Sequence, residues 1–554
     1  MKNIFLAIAA CACCGGGSLS AQDIYKVEKF STFDLNGDAR YVGMGGAMSA
    51  LGANLSAVGS NPASSALYRR GDASVSGGFI TNSGDSRDAE YFNSSKTKAS
   101  IDQMGFVYTF KLDDSITKFV NFGFNYKKSR NFRNLMVLND IPLPVAMMDG
   151  QTRGMSQSWQ MRDLAQISDR WLDLTDKNDR AMTTPLAILG YETFLIDPVL
   201  VDNKVSNYKP SYAEAYHYGR ANQGGIQQYD FNLSFNFSER YYLGVNIGVY
   251  NIDAQSSLEY EEASLGEDGK PFFAANGQRK TYVMNQEEQI TGTGVDAKFG
   301  FIARPLAESP LRLGLSVTTP TFYSISSSTR LDIRSHHGHT NSDTGKSYDY
   351  TTGYLTTTND YLLRTPWKVN FSIGSTIGNR LAIGAEYEIA DHLSAQVRYL
   401  ESTSDGPYYN WGIGRKDKVM QYEIDNYLKD VHTLRLGLEG RIAQSLFARF
   451  GYNWVSSPFS KNAFLNLYTD SPSYQYSTST DYANLGSIHR YTCGLGYRGD
   501  AFYVDAAYQY QKQGVDVYPF HYNAENRVGE KNDLPAQHLD LKRHGFILTL
   551  GYRF

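Results

Sequence analysis

The sequence predicts an all-β fold: a fourteen-stranded antiparallel transmembrane β-barrel with an N-terminal hatch of short helices and turns. Apolar and polar residues alternate in stretches of about ten residues, the length of a tilted membrane-crossing strand. The connections between these stretches are alternately short and long. The composition agrees, because 41 Tyr and 29 Phe accompany a mean hydropathy of −0.41. A barrel strand is apolar on one face only, so its sequence averages out as hydrophilic.

The alternation is clearest at the C-terminus, where Phe546, Leu548 and Leu550 share one strand face and Thr549 and Gly551 the other. An even number of strands is the rule for bacterial single-chain barrels. The fourteen strands are predicted at 72–80, 101–111, 117–127, 227–237, 240–252, 292–303, 309–319, 365–376, 380–390, 432–442, 445–455, 488–498, 501–511 and 543–553.

The connections support a barrel over a soluble β-sandwich. Short periplasmic turns and long extracellular loops follow one another in outer-membrane barrels, whereas a sandwich has no reason to place every long loop at one end. The barrel domain is therefore assigned to residues 71–554. Its large extracellular loops are predicted at 128–226, 253–291, 320–364, 391–431, 456–487 and 512–542.

Residues 1–21 have the features of a secretory signal peptide. Lys2 precedes an apolar run, and small residues lead to a predicted cleavage between Ala21 and Gln22. A sequence ending at Cys11 resembles a lipobox, which leaves a lipoprotein as the alternative. Three of the four cysteines lie in this segment, so the mature chain keeps only Cys493 and forms no intrachain disulfide. The expected location is the bacterial outer membrane.

Residues 22–70 show no sustained alternation and are predicted to form the hatch. The segment is rich in glycine around Gly45 and Gly46 and contains the tripeptide Asn61-Pro62-Ala63. Small residues with scattered apolar ones suit short helices and tight turns in a confined space. The lumen of the barrel is such a space, and a segment that precedes the first strand is placed to fill it.

The segment 39–47, ARYVGMGGA, followed by Asn61-Pro62-Ala63 and fourteen strands, resembles the hatch of the FadL-type outer-membrane transporters of long-chain fatty acids and other hydrophobic compounds, in a Bacteroidetes-like variant. The resemblance implies a passive transporter whose hatch residues Gly45, Gly46, Asn61, Pro62 and Ala63 bind ligand or gate its passage. It also implies that the ligand leaves sideways through an opening in the wall. No residue of the sequence indicates where that opening lies.

The chain ends in Phe554 after LTLGYR, which resembles the terminal strand that the outer-membrane assembly machinery recognises. The expected partners are therefore that machinery, the outer-membrane lipid bilayer and a hydrophobic small molecule. Lys and Arg number 53 against 57 Asp and Glu, so no basic surface points to nucleic acid.

The predicted loop 128–226 is unusually apolar. Trp159, Met161, Leu164, Ile167, Trp171 and Leu174 recur mostly at helical spacing. Two interpretations stay open, namely packing of the loop onto the barrel rim and an extracellular groove that captures an apolar ligand. The candidate capture residues are Trp159, Trp171, Leu186, Ile188, Leu189 and Phe194.

Signatures of a nucleotide site, a serine-hydrolase elbow and a zinc-protease helix are absent from the sequence, so we expect neither enzymatic activity nor a cofactor. His336, His337 and His339 are a weak metal or haem-iron candidate, because three imidazoles lie within four residues. A haemin-binding receptor is thus one alternative function. The other is an outer-membrane anchor or an assembly or shuttle protein for secreted proteins.

Overall fold

The computed structural model describes residues 23–82, 97–112, 116–148, 151–167, 170–263, 281–306, 308–340, 347–378, 380–399, 414–465, 480–522 and 532–554. The predicted signal peptide, residues 1–21, lies outside them. Among the described residues, no helix has the length and the apolar character needed to cross a membrane.

Fourteen antiparallel wall strands close a barrel, as the sequence predicts. Strand β1 pairs with β26 from Asp72↔Arg553 to Asn82↔Arg543, so the first and last strands complete the ring. The wall consists of β1 Asp72–Asn82, β2 Thr97–Lys111, β3 Thr117–Asn131 with β4 Asn134–Pro142, β11 Ala215–Phe237, β12 Tyr241–Ala263, β13 Thr281–Ala303, β14 Arg312–Thr318 with β15 Phe322–Thr340, β17 Leu355–Arg364 with β18 Trp367–Ile377, β19 Leu381–Asp391 with β20 Gln396–Tyr399, β22 Val431–Arg441, β23 Leu446–Val455, β24 Tyr482–Arg498, β25 Phe502–Tyr518 and β26 Gln537–Arg553.

Four wall strands are interrupted by a break in the backbone ladder, and two of the breaks contain Pro320 and Pro366. Proline lacks the N–H that a ladder position needs, so it is tolerated where pairing is interrupted. The remaining strands belong to the loops or extend the wall: β5 Val145–Met148, β6 Gln151–Gly154, β7 Gln166–Ile167, β8 Arg170–Trp171, β9 Ile196–Val201, β10 Lys204–Pro210, β16 Ser347–Thr351 and β21 Arg415–Lys416.

The predicted alternation corresponds to an apolar outer face and a polar lumen. On β11, Phe231 and Leu233 are 45% and 43% exposed, whereas Asp230, Asn232 and Ser234 are buried in the barrel. Exposed apolar side chains on successive strands make a continuous band around the wall. A bilayer would cover this band, and in water it would be far too large an apolar surface for a monomer.

The wall strands reach farther towards the long-loop end than predicted, because the alternation reverses its phase there. On β12 the outward residues are apolar up to Val249, and beyond it they are polar, as at Asp253 and Glu259. The inward residues change from polar to apolar, and Leu258 and Tyr260 are buried apolar side chains. Parts of the predicted loops 253–291, 320–364, 391–431, 456–487 and 512–542 are consequently strands.

The predicted loop 128–226 builds a cap over the long-loop end. Its helices are α3 Ser158–Asp163, α4 Lys177–Arg180 and α5 Pro185–Glu192, with three short hairpins. The helix predicted from the spacing of Trp159 to Leu174 is wrong beyond Asp163, because the chain turns into β7 and β8. A buried cluster joins cap and wall, including Met161, Leu186, Tyr260 and Leu331.

Residues 23–70 fold inside the barrel as α1 Ile24–Ser31, α2 Ala39–Gly43 and two 3₁₀ turns, Ser56–Gly59 and Pro62–Leu67. We call this segment the hatch. Asp23 and Asp38 cap the two α-helices by accepting hydrogen bonds from Lys26 N and Tyr41 N. One further helix, α6 Lys418–Tyr427, packs against α1 from the long-loop side through Met420 and Ile424.

Candidate functional site

The hatch is fastened to the wall by a chain of ion pairs near the short-turn end. Arg40 on α2 pairs with Glu439, which also accepts a 2.6 Å hydrogen bond from Arg449 Nε. Arg449 in turn pairs with Asp505, and Asp505 with Arg498, both at 2.7 Å. Because buried carboxylates cost free energy unless they are paired, this network strongly favours a seated hatch.

Gly45 and Gly46 form the turn after α2, at the point where the hatch touches the wall. Both have left-handed backbones, with φ of 62° and 86°. A Cβ atom on Gly45 would lie 2.8 Å from Leu436 O and Tyr452 N, which are backbone atoms of the wall. Glycine is therefore needed at position 45 for both the backbone conformation and the close approach.

The tripeptide Asn61-Pro62-Ala63 begins the second 3₁₀ turn, and all three residues are buried. Asn61 Oδ1 accepts from Ala63 N, and Asn61 Nδ2 lies 3.4 Å from the carbonyl oxygens of Phe301 and Leu315. The wall residues Gly244 and Gly300 leave the space that this turn occupies. The tripeptide thus packs the hatch against the wall, while a gating role remains a prediction.

On the long-loop side of the hatch, a cavity of about 230 Å³ lies between α1 and the wall. Charged residues line much of it, and most are paired: Lys26 with Glu288 at 2.7 Å, Arg130 with Glu28 at 3.3 Å, Arg220 with Asp481, and Arg543 with Asp34 at 3.3 Å. Phe132, Leu135, Met136, Phe459 and Leu485 supply the apolar part of the lining.

Lys29 is the exception among these cations, because it has no carboxylate within ion-pair distance in the described part of the chain. Its ammonium group instead lies 5.1 Å from the ring centre of Phe132. Burial lowers the pKa of Lys29 to about 8, since an ammonium group is poorly solvated there. The lining therefore combines paired charges, an apolar part and the ammonium group of Lys29, which is available to an anionic group.

The wall beside this cavity has a seam between β2 and β3. Their backbone ladder ends at Gln103↔Lys127, although β2 continues to Thr97 and β3 to Asn131. Beyond that point, within the described part of the chain, β2 pairs only with β1, and β3 with its continuation β4 only with β11. Phe132 and Arg133, the two residues between β3 and β4, are buried.

Three side chains bridge this seam from the lumen side. Arg543 Nη2 donates to the carbonyl oxygens of Asn131 and Arg133, both at 3.2 Å, and Asn82 Nδ2 donates to Arg133 O at 3.0 Å. From the hatch, Asn36 Nδ2 donates to Asp102 Oδ1 on β2 and to Lys128 O on β3. Hatch and seam are therefore joined by direct contacts.

The candidate capture residues divide into two groups. Leu186, Ile188 and Leu189 on α5 are buried in the cap, which agrees with the packing interpretation. Trp159 and Trp171 are partly buried at the edge of the same cluster, and Phe194 is 49% exposed. Phe194 and the two tryptophans are thus the accessible members of the set, and their role in capture remains a prediction.

His336, His337 and His339 belong to one strand, β15. The side chains of His337 and His339 lie outside the described residues. Within the described residues, no group of three His, Cys, Asp or Glu side chains is placed to hold a metal ion.

Sequence reasoning missed Lys29, Arg130, Asn36 and Arg543, the polar residues of the cavity and seam. Isolated charged residues carry no motif, and their partners are far apart in the chain. One signal was present, because Lys26 and Lys29 follow each other at helical spacing after a capping Asp23. That pattern predicts two cations near one face of α1.

The sequence matches no protein-family model and no curated protein. The chain is similar to several solved structures, with low sequence identities and TM-scores below 0.5. A FadL homologue of Pseudomonas aeruginosa has 13% identity and a TM-score of 0.47, with 95% of this chain and 100% of that chain covered. The Pseudomonas putida toluene transporter TodX has 11% identity and a TM-score of 0.43, with the same coverage. The CymD monoaromatic hydrocarbon channel has 9% identity and a TM-score of 0.45, with 94% and 99% covered. At TM-scores below 0.5, these similarities carry no functional argument.

Proposed function

We propose that this chain is a passive outer-membrane transporter of hydrophobic compounds, and that its ligands include amphipathic acids such as long-chain fatty acids. The observation that carries the proposal is the cavity on the long-loop side of the hatch, which lies beside a seam in the wall. Its lining contains charged residues that mostly pair with one another, apolar residues, and Lys29, which has no carboxylate within ion-pair distance among the described residues. Apolar side chains beside a cation suit a ligand with an apolar tail and one anionic head.

The proposed route runs from the cap through the cavity to the seam. The partly exposed Trp159, Trp171 and Phe194 offer apolar surface on the cap, where a ligand first binds. The acid then enters the cavity with its carboxylate near Lys29. Because Asn36 contacts both sides of the seam, a rearrangement of the hatch would loosen the seam and let the apolar tail leave sideways into the bilayer.

Asn61, Pro62, Ala63, Gly45 and Gly46 are proposed to act in gating by holding the hatch in its seated position. They contact backbone atoms and glycines of the wall, so that a displaced hatch would lose these contacts together. Passive movement needs no coupled energy source, because the ligand partitions from one apolar environment to another.

The test is binding of three probes to purified protein in detergent: palmitate, hexadecanol and toluene. We expect palmitate to bind more tightly than hexadecanol, because only palmitate has a carboxylate for Lys29. If toluene and hexadecanol bind but palmitate shows no advantage, the transporter proposal stands and the preference for acids is wrong. If none of the probes binds, and reconstituted protein does not speed their passage into vesicles, the transporter proposal itself fails.

A further inference from the structure

The outer face of the wall has an apolar depression within the lipid-facing band. It has a volume of about 710 Å³ and lies across β23 to β26 and β1. The backbone register explains it. Gly77, Leu548, Ala506, Leu495 and Ala448 form one row across the five strands, and Phe79, Phe546, Tyr508, Cys493 and Phe450 form the next row towards the long-loop end.

Small and large side chains are unevenly distributed in these rows. Ala448, Cys493 and Ala506 lie on neighbouring strands and leave a floor without bulky side chains. Around them Phe450, Leu495 and Leu548 project from the wall and are 62%, 56% and 52% exposed. A groove of this kind in a membrane-facing surface is filled by something apolar, because an empty one would forfeit dispersion contacts on all sides.

A polar group lies at the rim of the groove that is nearer the long-loop end. Tyr508, which lines the groove, has its hydroxyl 2.8 Å from His544 Nδ1 on β26. When His544 Nδ1 accepts the hydrogen bond from the Tyr508 hydroxyl, the hydrogen of the neutral imidazole is on Nε2, which can donate a hydrogen bond outward. A second pair, Tyr452 and His489 at 2.9 Å, lies on β23 and β24 at the same end, where His489 Nε2 is 3.3 Å from Ser487 Oγ.

We propose that this groove binds one lipid of the leaflet at the long-loop end, with an acyl chain on the floor of Ala448, Cys493 and Ala506 and a phosphate-bearing headgroup at His544. The groove is continuous with the surface that faces the bilayer, so lipid chains are the apolar molecules present at highest concentration. Imidazole N–H groups hydrogen-bond phosphate oxygens, which fits the polar rim above an apolar groove.

A second copy of the chain is the competing occupant. A stable interface between copies buries about 1,200–2,000 Å² and needs complementary surfaces on both partners. Such a contact across the groove would bring the two Cys493 residues near each other, because Cys493 is exposed on its floor. Cross-linking through this thiol therefore separates the two occupants.

The experiment is native mass spectrometry of detergent-purified protein titrated with phosphatidylglycerol, which has acyl chains and one phosphate. Ala506→Phe fills the groove, and Ala385→Phe places the same ring on the outer face of β19, away from it. We expect Ala506→Phe to weaken retention of one lipid about tenfold, the ratio that corresponds to about 1.4 kcal/mol, and Ala385→Phe to leave retention unchanged. Folding of each variant is judged by the change in its gel mobility on heating. If Ala506→Phe does not fold, Cys493→Phe serves as the second groove variant.

The headgroup contact has its own matched pair of variants. His432 forms the same kind of pair with Tyr387, at 2.9 Å, but away from the groove. His544→Leu should weaken lipid retention and His432→Leu should not. Equal retention by wild type and both groove variants would overturn the proposal, and so would efficient cross-linking of Cys493 to a second copy by a short bismaleimide in native membranes.

Discussion

Asn36 of the hatch donates a hydrogen bond from Nδ2 to Asp102 Oδ1 on β2 at 3.2 Å, across the line where the β2–β3 ladder has ended. The same nitrogen lies 2.9 Å from Lys128 O on β3. One carboxamide therefore spans the seam and belongs to the hatch. The hatch is also tied to β22, where Arg40 pairs with Glu439, so its contacts connect the seam with another part of the wall.

The first prediction concerns this bridge. Asn36→Asp should open the seam more than Asn36→Ala, because a second carboxylate would face Asp102 at hydrogen-bonding distance and repel it. Both variants should release a bound fluorescent fatty acid faster than wild type, in the order Asp, Ala, wild type. Asn251→Ala is the control, since Asn251 is exposed on the outside of β12. Equal release rates for all four proteins would show that the seam does not limit exit.

The second prediction concerns the ion pair between Arg40 and Glu439. Arg40→Met leaves Glu439 with Arg449 alone, and we expect a loss of about 1–3 kcal/mol in hatch stability. The hatch should then leave its seat more often, so vesicles that contain the variant should admit small sugars faster in a swelling assay. Arg69→Met removes the exposed pair with Glu239, which contributes at most about 1 kcal/mol, and should not change swelling.

The third prediction concerns the turn after α2. Gly45→Ala must place a Cβ against wall backbone in a left-handed conformation, which costs on the order of 1–3 kcal/mol. We expect the variant to show a lower midpoint of thermal unfolding and faster proteolysis within 39–63. Gly353→Ala is the control, because a Cβ there meets no atom within 4 Å. Identical thermal stability of both variants would contradict the assigned contact.

The barrel could be predicted from the sequence because one physical constraint acts on every strand: lipid outside and a polar lumen inside. Phe231 and Asp230 illustrate it, and the same alternation recurs to Tyr552 and Arg553. The constraint changes where the wall leaves the bilayer. From Tyr250 onwards on β12 apolar residues occupy the inner face, where Ile252 packs in the cluster with α1 and α6 and Leu258 packs against the cap. A search for outward apolar residues therefore stops too early.

The candidate site was less predictable for a related reason. Asn61 and Gly45 belong to a recognisable glycine-rich segment, whereas Lys29, Asn36 and Arg543 are single polar residues without a motif. Their roles depend on the residues that they contact in the folded chain. Arg543, for example, donates to the carbonyl oxygen of Asn131, which lies more than four hundred residues earlier in the chain. Such contacts follow from barrel closure between β26 and β1, which depends on the register of every strand.

The fourth prediction is a pH dependence of acid binding that arises from Lys29. Its pKa is lowered to about 8 by burial, so the free protein carries the ammonium charge below pH 8 and loses it as the pH rises through that value. A fatty acid is ionised above about pH 5, so the oppositely charged pair exists between about 5 and 8. The ratio of palmitate affinity to hexadecanol affinity should therefore be highest near pH 6–7 and fall above pH 8.

Lys29→Met separates this effect from other titrating groups. The variant should bind hexadecanol as well as wild type does, bind palmitate less tightly at pH 7, and show a flat affinity ratio between pH 6 and 9. Lys111→Met is the matched control, because Lys111 is exposed on β2 and lies outside the cavity lining. A ratio that falls above pH 8 in Lys29→Met as steeply as in wild type would assign the titration to another group. Since a bound carboxylate stabilises the charged form, palmitate should also raise the pKa of Lys29, so the ammonium charge should be lost at a higher pH in the palmitate-bound protein than in the free protein.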